Sequence, residues 1–321
     1  MKITTRIRVV GSEYRTQMIQ ILEDINSEYM DAGLTTDLVI ESETTDVAGQ
    51  IQQIQNLMNR GVDAIIINPG DVEGLNATLE EAVASGIVVI AIDQEIGANG
   101  VINVAINQKE WAKTSAEWFA EELGGEGDVV LIEGFVGHPA NVARMEGVEE
   151  VFADYPGINV VGRESGMWDE ATGQQVMSDF LAALPNIDGY WTQDGMAIGA
   201  LQAVIASNPA QYPVVVGEGR VQFLNLWKQV LDENPDFRTI AVANPPGVAG
   251  SGLRIALNIL QGKEIDQSKF EGPFGNTVYM PIPIVVTADN FQEVYDEYKN
   301  YPESYLLDGI LSEDEVQGFF K

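Results

Sequence analysis

Gly61-Val-Asp-Ala-Ile-Ile-Ile-Asn-Pro69, a helical stretch, and then Gly86-Ile-Val-Val-Ile-Ala-Ile-Asp93 carry the reading of this fold. Each is a short run, rich in β-branched residues, that stays apolar on successive positions instead of alternating. That is the pattern of a strand covered on both faces. Each run ends in a polar residue, Asn68 or Asp93, where the strand gives way to its loop. A helix near Leu75–Ala84 separates the two. Strand, helix and parallel strand together make the unit of a doubly wound sheet.

The same rhythm extends outward in both directions. Upstream, a strand at Ile7–Val10 precedes a helix carrying Met18, Ile19, Leu22, Ile25 and Met30. A strand at Leu38–Glu41 and a helix from about Asp46 to Arg60 follow. Downstream, Val101–Ile106 leads into a helix bearing Trp111 and Trp118, whose spacing reads as packing. Gly127–Gly134 then opens a second series. Helices near 139–153, 169–184, 196–207 and 220–232 interleave with strands near 158–162, 188–192, 213–217 and 239–243. Within that series, Asn186-Ile-Asp-Gly-Tyr-Trp-Thr-Gln-Asp194 and Tyr212-Pro-Val-Val-Val-Gly-Glu218 echo the opening pair. Two successive wound sheets predict two lobes.

Composition removes several function classes. Hydrophobic residues at 45% and charged residues at 21% describe a chain that folds. No apolar run approaches the roughly 20 residues that span a bilayer, so no direct membrane insertion is expected. Asp and Glu number 49 against 17 Lys and Arg, a formal charge of −32 that opposes nucleic acid as a partner. With no cysteine and a single histidine, His138, neither sulfur-ligated metals nor a Ser-His-Asp triad is available, and no metal site or cofactor is expected. Met1-Lys-Ile-Thr-Thr-Arg-Ile-Arg-Val-Val10 reads as no signal peptide.

Ligands of open parallel sheets bind beyond the carboxyl ends of the strands. The residues predicted there are Glu13, Tyr14 and Arg15, then Asn68, then Asp93 and Gln94. In the second series they are His138, Asn141 and Arg144, with Trp168–Asp169, Gln193–Asp194, Glu218 and Asn244. Carboxylates beside guanidinium and amide groups bind neighbouring hydroxyls in a planar, two-pronged way, and the C–H face of a sugar ring stacks on Trp168 or Tyr14. Each has a structural alternative. Asp93 or Asp194 could cap a helix, Trp168 could be a staple at a helix start, and Arg144 could pair with a surface Glu. His138 reads as a loop or first-turn residue able to line the site.

Other motifs fail. Gly250-Ser-Gly252 lacks the third glycine of a dinucleotide fingerprint, where Ile255 stands, and Pro245–Pro246 interrupts the turn. There is no P-loop and no Gly-x-Ser-x-Gly.

The ordered strings Gly61–Pro69, Val88–Gln94, Gly137-His-Pro-Ala-Asn-Val-Ala-Arg-Met-Glu-Gly147, Trp168-Asp169 and Met196-Ala-Ile-Gly-Ala-Leu201 resemble the ribose-binding-like branch of the type I periplasmic binding proteins. These are the sugar-binding subunits of bacterial ABC importers, and the likeness runs from about Arg6 to Pro283. The resemblance implies an α/β fold of two Rossmann-like lobes, residues 1–105 with 245–283 and residues 106–244 with 284–321, around a ligand cleft. Three crossings fall near Ala105–Asn107, Ala243–Pro245 and Pro281–Ile284. It carries ligand contacts over to Tyr14, Arg15, Asp93, Gln94, Arg144, Trp168, Asp194 and Asn244. Glu218 stands where the family usually has Asp, Gln94 replaces an arginine, and Arg15 replaces an aromatic. A small sugar or polyol as ligand, a membrane permease as partner and a periplasmic or extracellular place, reached through a signal or lipid anchor, are what the resemblance implies. The tail from Asp289 to Lys321 is expected to pack on the lobes as added helix.

Two other classes share some of these features. A ligand-sensing core of a lac-repressor-like regulator has the same architecture, but no basic helix-turn-helix precedes Ile7. A sugar hydrolase would need two carboxylates, such as Asp93 and Glu218, set at a defined separation.

Overall fold

The computed structural model describes residues 3–7, 13–36, 38–42 and 46–321. In chain order the first series is β1 (Ile3–Ile7), α1 (Glu13–Asp31), β2 (Val39–Ser42), α2 (Val47–Asn59), β3 (Ala64–Ile67), α3 (Asn76–Ala84), β4 (Val88–Ile92) and β5 (Ile102–Ile106). The second is α4 (Gln108–Glu122), β6 (Glu126–Glu133), α5 (Pro139–Ala153), β7 (Gly157–Ser165), α6 (Glu170–Ala183), β8 (Gly189–Thr192), α7 (Met196–Ser207), β9 (Val214–Glu218), α8 (Val221–Glu233) and β10 (Thr239–Val242). Then come α9 (Val248–Leu260), β11 (Thr277–Met280), β12 (Val285–Val286), α10 (Phe291–Tyr298) and α11 (Glu313–Gln317).

These elements divide into two compact units. The first comprises Met1–Asn107, Pro245–Pro281 and Asp308–Lys321, and the second Gln108–Asn244 and Ile282–Leu307. The first unit holds a six-stranded sheet in the order β11-β5-β4-β3-β1-β2, parallel at every pairing. The second holds β12-β10-β9-β8-β6-β7, parallel except where β12 runs against β10. Each order reverses once, between β1 and β3 and between β6 and β8. Such a switch point opens a crevice at the carboxyl edge.

The strand patterns explain the burial. Ile65, Ile66 and Ile67 of β3 are wholly buried, as are Val214, Val215 and Val216 of β9, because helices cover both faces. Glycine lets those helices approach closely. A Cβ on Gly199 of α7 would lie 1.9 Å from the backbone oxygen of Glu170 in α6, so only hydrogen fits there.

Two expectations change. The first strand begins at Ile3, and residues 8–10 of the expected Ile7–Val10 strand lie outside the described residues. The expected assignment of 284–321 to the second lobe also divides. Phe291 of α10 packs against Trp227 of α8 with ring centroids 4.3 Å apart and stays with the second unit. Residues 308–321 return to the first, because the small residues opening α9 leave room for them. Gly247 N donates to Asp308 Oδ1 at 2.7 Å, and Leu311 N donates to Ser251 Oγ at 3.0 Å. Val316 of α11 is then fully buried, and Lys321 N reaches the carbonyl of Glu264 at 3.0 Å. Strands β11 and β12 are additions to the expected set.

Candidate functional site

In the first unit, the carboxyl edge of the sheet is organised around Asp93, the residue after β4. It adopts a left-handed φ of 68°, which turns the chain sharply and costs a non-glycine residue conformational energy. Four donors converge on its carboxylate. Tyr14 OH lies 3.0 Å from Oδ1, while Arg15 Nη1 (2.9 Å), Asn68 Nδ2 (2.9 Å) and Gln94 Nε2 (3.2 Å) reach Oδ2. Helix α1 supplies Tyr14 and Arg15 from its first turn, and the end of β3 supplies Asn68. Tyr14 also contacts the Pro245 carbonyl at 3.3 Å, which brings in the entry to α9. Burial pushes the Asp93 carboxyl up, but the charge and hydrogen bond of Arg15, with the amides of Asn68 and Gln94, outweigh it and hold it below its ordinary value. Asp93 is thus an ionised acceptor in a frame of fixed donors.

The second unit builds its cluster around Arg144, which α5 projects inward and which is 1% exposed. Its Nε donates to Gln108 Oε1 at 2.7 Å, and its Nη1 to both Gln193 Oε1 (2.9 Å) and Asp194 Oδ2 (2.5 Å). The guanidinium carbon sits 4.1 Å from the Trp111 ring centroid. A buried guanidinium is tolerable here because a carboxylate, two amides and an aromatic face surround it. Trp111, expected as packing, is buried and also forms the floor under Arg144.

Trp168 stands beside this group. Its Nε1 donates to Gln193 Oε1 at 2.9 Å, and its ring takes edge-to-face contacts from His138 (4.8 Å) and Phe135 (5.3 Å). His138 is the N-cap of α5, its Nδ1 accepting from Ala140 N at 3.3 Å, so it is a structural cap that also borders the indole. Asp169 caps α6 by accepting from Thr172 N at 2.8 Å. Trp168 and Asp194 share the left-handed strain of Asp93, with φ of 54° and 51°. Three of the five non-glycine residues with positive φ among the described residues are therefore site candidates, which is where strain concentrates in binding sites.

The remaining candidates are placed as follows. Asn141 is buried and spends its amide inside the protein, accepting from Gly134 N and Gln193 Nε2 and donating to Glu133. Glu218 is buried against Arg220, whose Nε and Nη2 reach Oε1 at 3.1 and 2.8 Å. Asn244 is half-buried after β10, and its side-chain oxygen accepts no hydrogen bond. Sequence reasoning passed over Gln108, Glu133, Arg163 and Arg220. The signal for Arg220 was its position two residues after Glu218, in the same strand-end loop. Glu133 carried the strand-end signal too, as the last residue of β6, whereas Gln108 and Arg163 are brought in by tertiary approach.

Two strand-end carboxylates, Asp93 and Asp194, each paired with a guanidinium, and the Trp168 indole are chemistry suited to polyhydroxylated ligands. Residues 7–264 match the family model described as the periplasmic binding protein domain. The chain belongs to this family. It is similar to the xylitol-binding protein of Mycolicibacterium smegmatis. That relative is 28% identical over 279 residues, which cover 86% of this chain and 75% of the relative. The D-ribose/D-allose-binding protein of Pseudomonas aeruginosa is 29% identical over 235 residues, covering 70% and 72%. In fold, the chain is similar to an ABC transporter solute binding protein from Thermobispora bispora, with a TM-score of 0.82, 22% identity, and coverage of 98% of this chain and 93% of that one. The two-lobed α/β architecture of periplasmic binding proteins is the one seen here.

Proposed function

We propose that this chain is the solute-binding subunit of an ABC importer, which takes up a monosaccharide or similar polyol outside the cytoplasmic membrane and delivers it unchanged to a permease. The observation that carries the reading is the matched chemistry at the two carboxyl edges. Asp93 with Arg15 and Asn68, and Asp194 with Arg144, each offer a carboxylate and a planar donor to adjacent hydroxyls, and Trp168 offers a flat apolar face. The similarity to xylitol- and ribose/allose-binding relatives supports the polyol class.

The chain has no helix among the described residues that is long and apolar enough to cross a membrane. In this reading, delivery depends on a separate membrane permease. A single ligand using both clusters entails closure of the two units upon it, a population shift drawn from differential contacts in the closed form. The hydrolase reading has no catalytic motif in the sequence behind it, and Asp93, an ion-paired carboxylate held low, fits only the ionised member of the two carboxylates a glycosidase uses.

A thermal-shift screen with xylitol, D-ribose, D-allose and other pentoses, hexoses and polyols tests the proposal. A ligand at a hundred times its dissociation constant stabilises by about 2.7 kcal/mol. A strong shift with one or two of these, recovered intact, is the expected result, with compaction in small-angle scattering. Consumption of the sugar, or silence across the panel, overturns it.

A further inference from the structure

Behind Arg144 and Trp168 runs a chain of side-chain hydrogen bonds whose direction is set at both ends. At one end, Arg144 and the Trp168 indole can only donate, and both donate to Gln193 Oε1 at 2.9 Å. Gln193 must therefore turn its Nε2 away, and it does so, donating to Asn141 Oδ1 at 2.8 Å. The same oxygen accepts from Gly134 N at 2.8 Å, so Asn141 presents Nδ2 in the other direction. There it meets Glu133 Oε2 at 2.8 Å, an ionised carboxylate that can only accept. Arg163 closes the chain, its Nε and Nη2 binding Glu133 at 2.8 and 3.1 Å. Strand register brings the parts together, since Ile132 of β6 lies beside Thr192 of β8 and Glu133 of β6 beside Ser165 of β7.

We propose that Glu133 and Asn141 are positioning residues: through Gln193 they fix the atoms with which Arg144 and Trp168 face the ligand. The consequence is specific. With Gln193 Oε1 occupied by both donors, Arg144 Nη1 and the indole N–H are held inside the protein. No side chain among the described residues takes Arg144 Nη2 or Asp194 Oδ1, and these are the groups that remain for hydroxyls. Asn141, expected from sequence as a ligand contact, is assigned by this geometry to orienting the contacts. A buried network of this kind is worth more intact than its pairs suggest, and its coupling is measurable by double-mutant cycle.

The inference rests on the sugar-binding reading, and the test separates the two. Asn141→Asp keeps the acceptor for Gly134 and Gln193 but sets a second carboxylate against Glu133. Glu133→Gln restores a donor facing position 141, while its oxygen still accepts from Arg163. In the full-length chain, binding of whichever panel sugar shifts the wild type is measured by calorimetry, and the Trp168 indole N–H by NMR, assigned with Trp168→Phe.

Asn141→Asp is expected to weaken binding by about tenfold or more and to move the indole resonance, and Glu133→Gln by about threefold. The double variant is expected to bind more tightly than Asn141→Asp alone and to return the resonance towards its wild-type position. A double variant no better than Asn141→Asp overturns the proposal. If no sugar binds the wild type, the functional reading falls, and the resonance in the same variants still decides the relay.

Discussion

Trp168 occupies the space that a side chain at Gly134 would fill: a Cβ there would lie 2.2 Å from Cε2 and 2.4 Å from Nε1 of the indole. Gly134 follows β6 and Trp168 precedes α6, so the missing side chain of one seats the ring of the other. Gly134→Ala must displace that ring and break its bond to Gln193. We expect affinity for the panel sugar to fall by about tenfold and stability by about 1–3 kcal/mol, the range for overpacking a filled site. Titration calorimetry and tryptophan emission check this; unchanged emission and affinity would show that the ring has another seat.

Asp93→Asn should lose binding and stability together, since it leaves Arg15 without its carboxylate at 2.9 Å. Arg15 keeps some contact with solvent, so the stability loss is expected to be about 1–3 kcal/mol. The pH dependence has a definite sign. The folded carboxyl lies below its ordinary value of 3.8, so on acidification the unfolded chain takes up the proton first. The contribution of the Asp93–Arg15 pair is present above about pH 4 and is lost as pH falls through the folded value. Melting curves of wild type and variant should converge below that range, and parallel curves down to pH 3 would contradict the assignment.

Asp308 runs the other way. Burial raises its carboxyl from 3.8 to about 6, against the lowering effect of the Gly247 and Gly309 N–H groups. The folded state thus holds this proton more tightly, and stability falls as pH rises from about 4 to about 6. An asparagine side chain at this position would still accept from Gly247 N through its amide oxygen, and it has no ionised form. Asp308→Asn is expected to match wild type near pH 4 and to exceed it by about 1–3 kcal/mol at pH 7.5. Taking the difference between variant and wild type at each pH cancels the other carboxylates. A difference independent of pH would sink the idea.

The elements were legible because their signals are local. The unbroken Ile65–Ile67 and Val214–Val216 runs announce strands buried on both faces, and Tyr14, Arg15, Asp93, Arg144, Trp168 and Asp194 all stand where a parallel sheet ends. The tail was legible only in part. Its helices could be expected, but the return of 308–321 to the first unit depends on Gly247, Gly250 and Ser251 leaving a surface that Ile310 and Leu311 fit.

By itself, the sequence determined the fold class, the succession of two wound sheets and the positions at which polar residues leave the strands, because strand burial, helix spacing and chain punctuation are read within a few residues. Only the tertiary structure decided which atoms those residues spend on one another. Asn141 and Glu133 are eight residues apart and Arg144 and Gln193 are 49 apart, yet each pair meets at hydrogen-bond distance. Hydrogen bonds are satisfied in three dimensions, and whether an amide or guanidinium is consumed by its neighbours or left for a ligand is settled by that accounting.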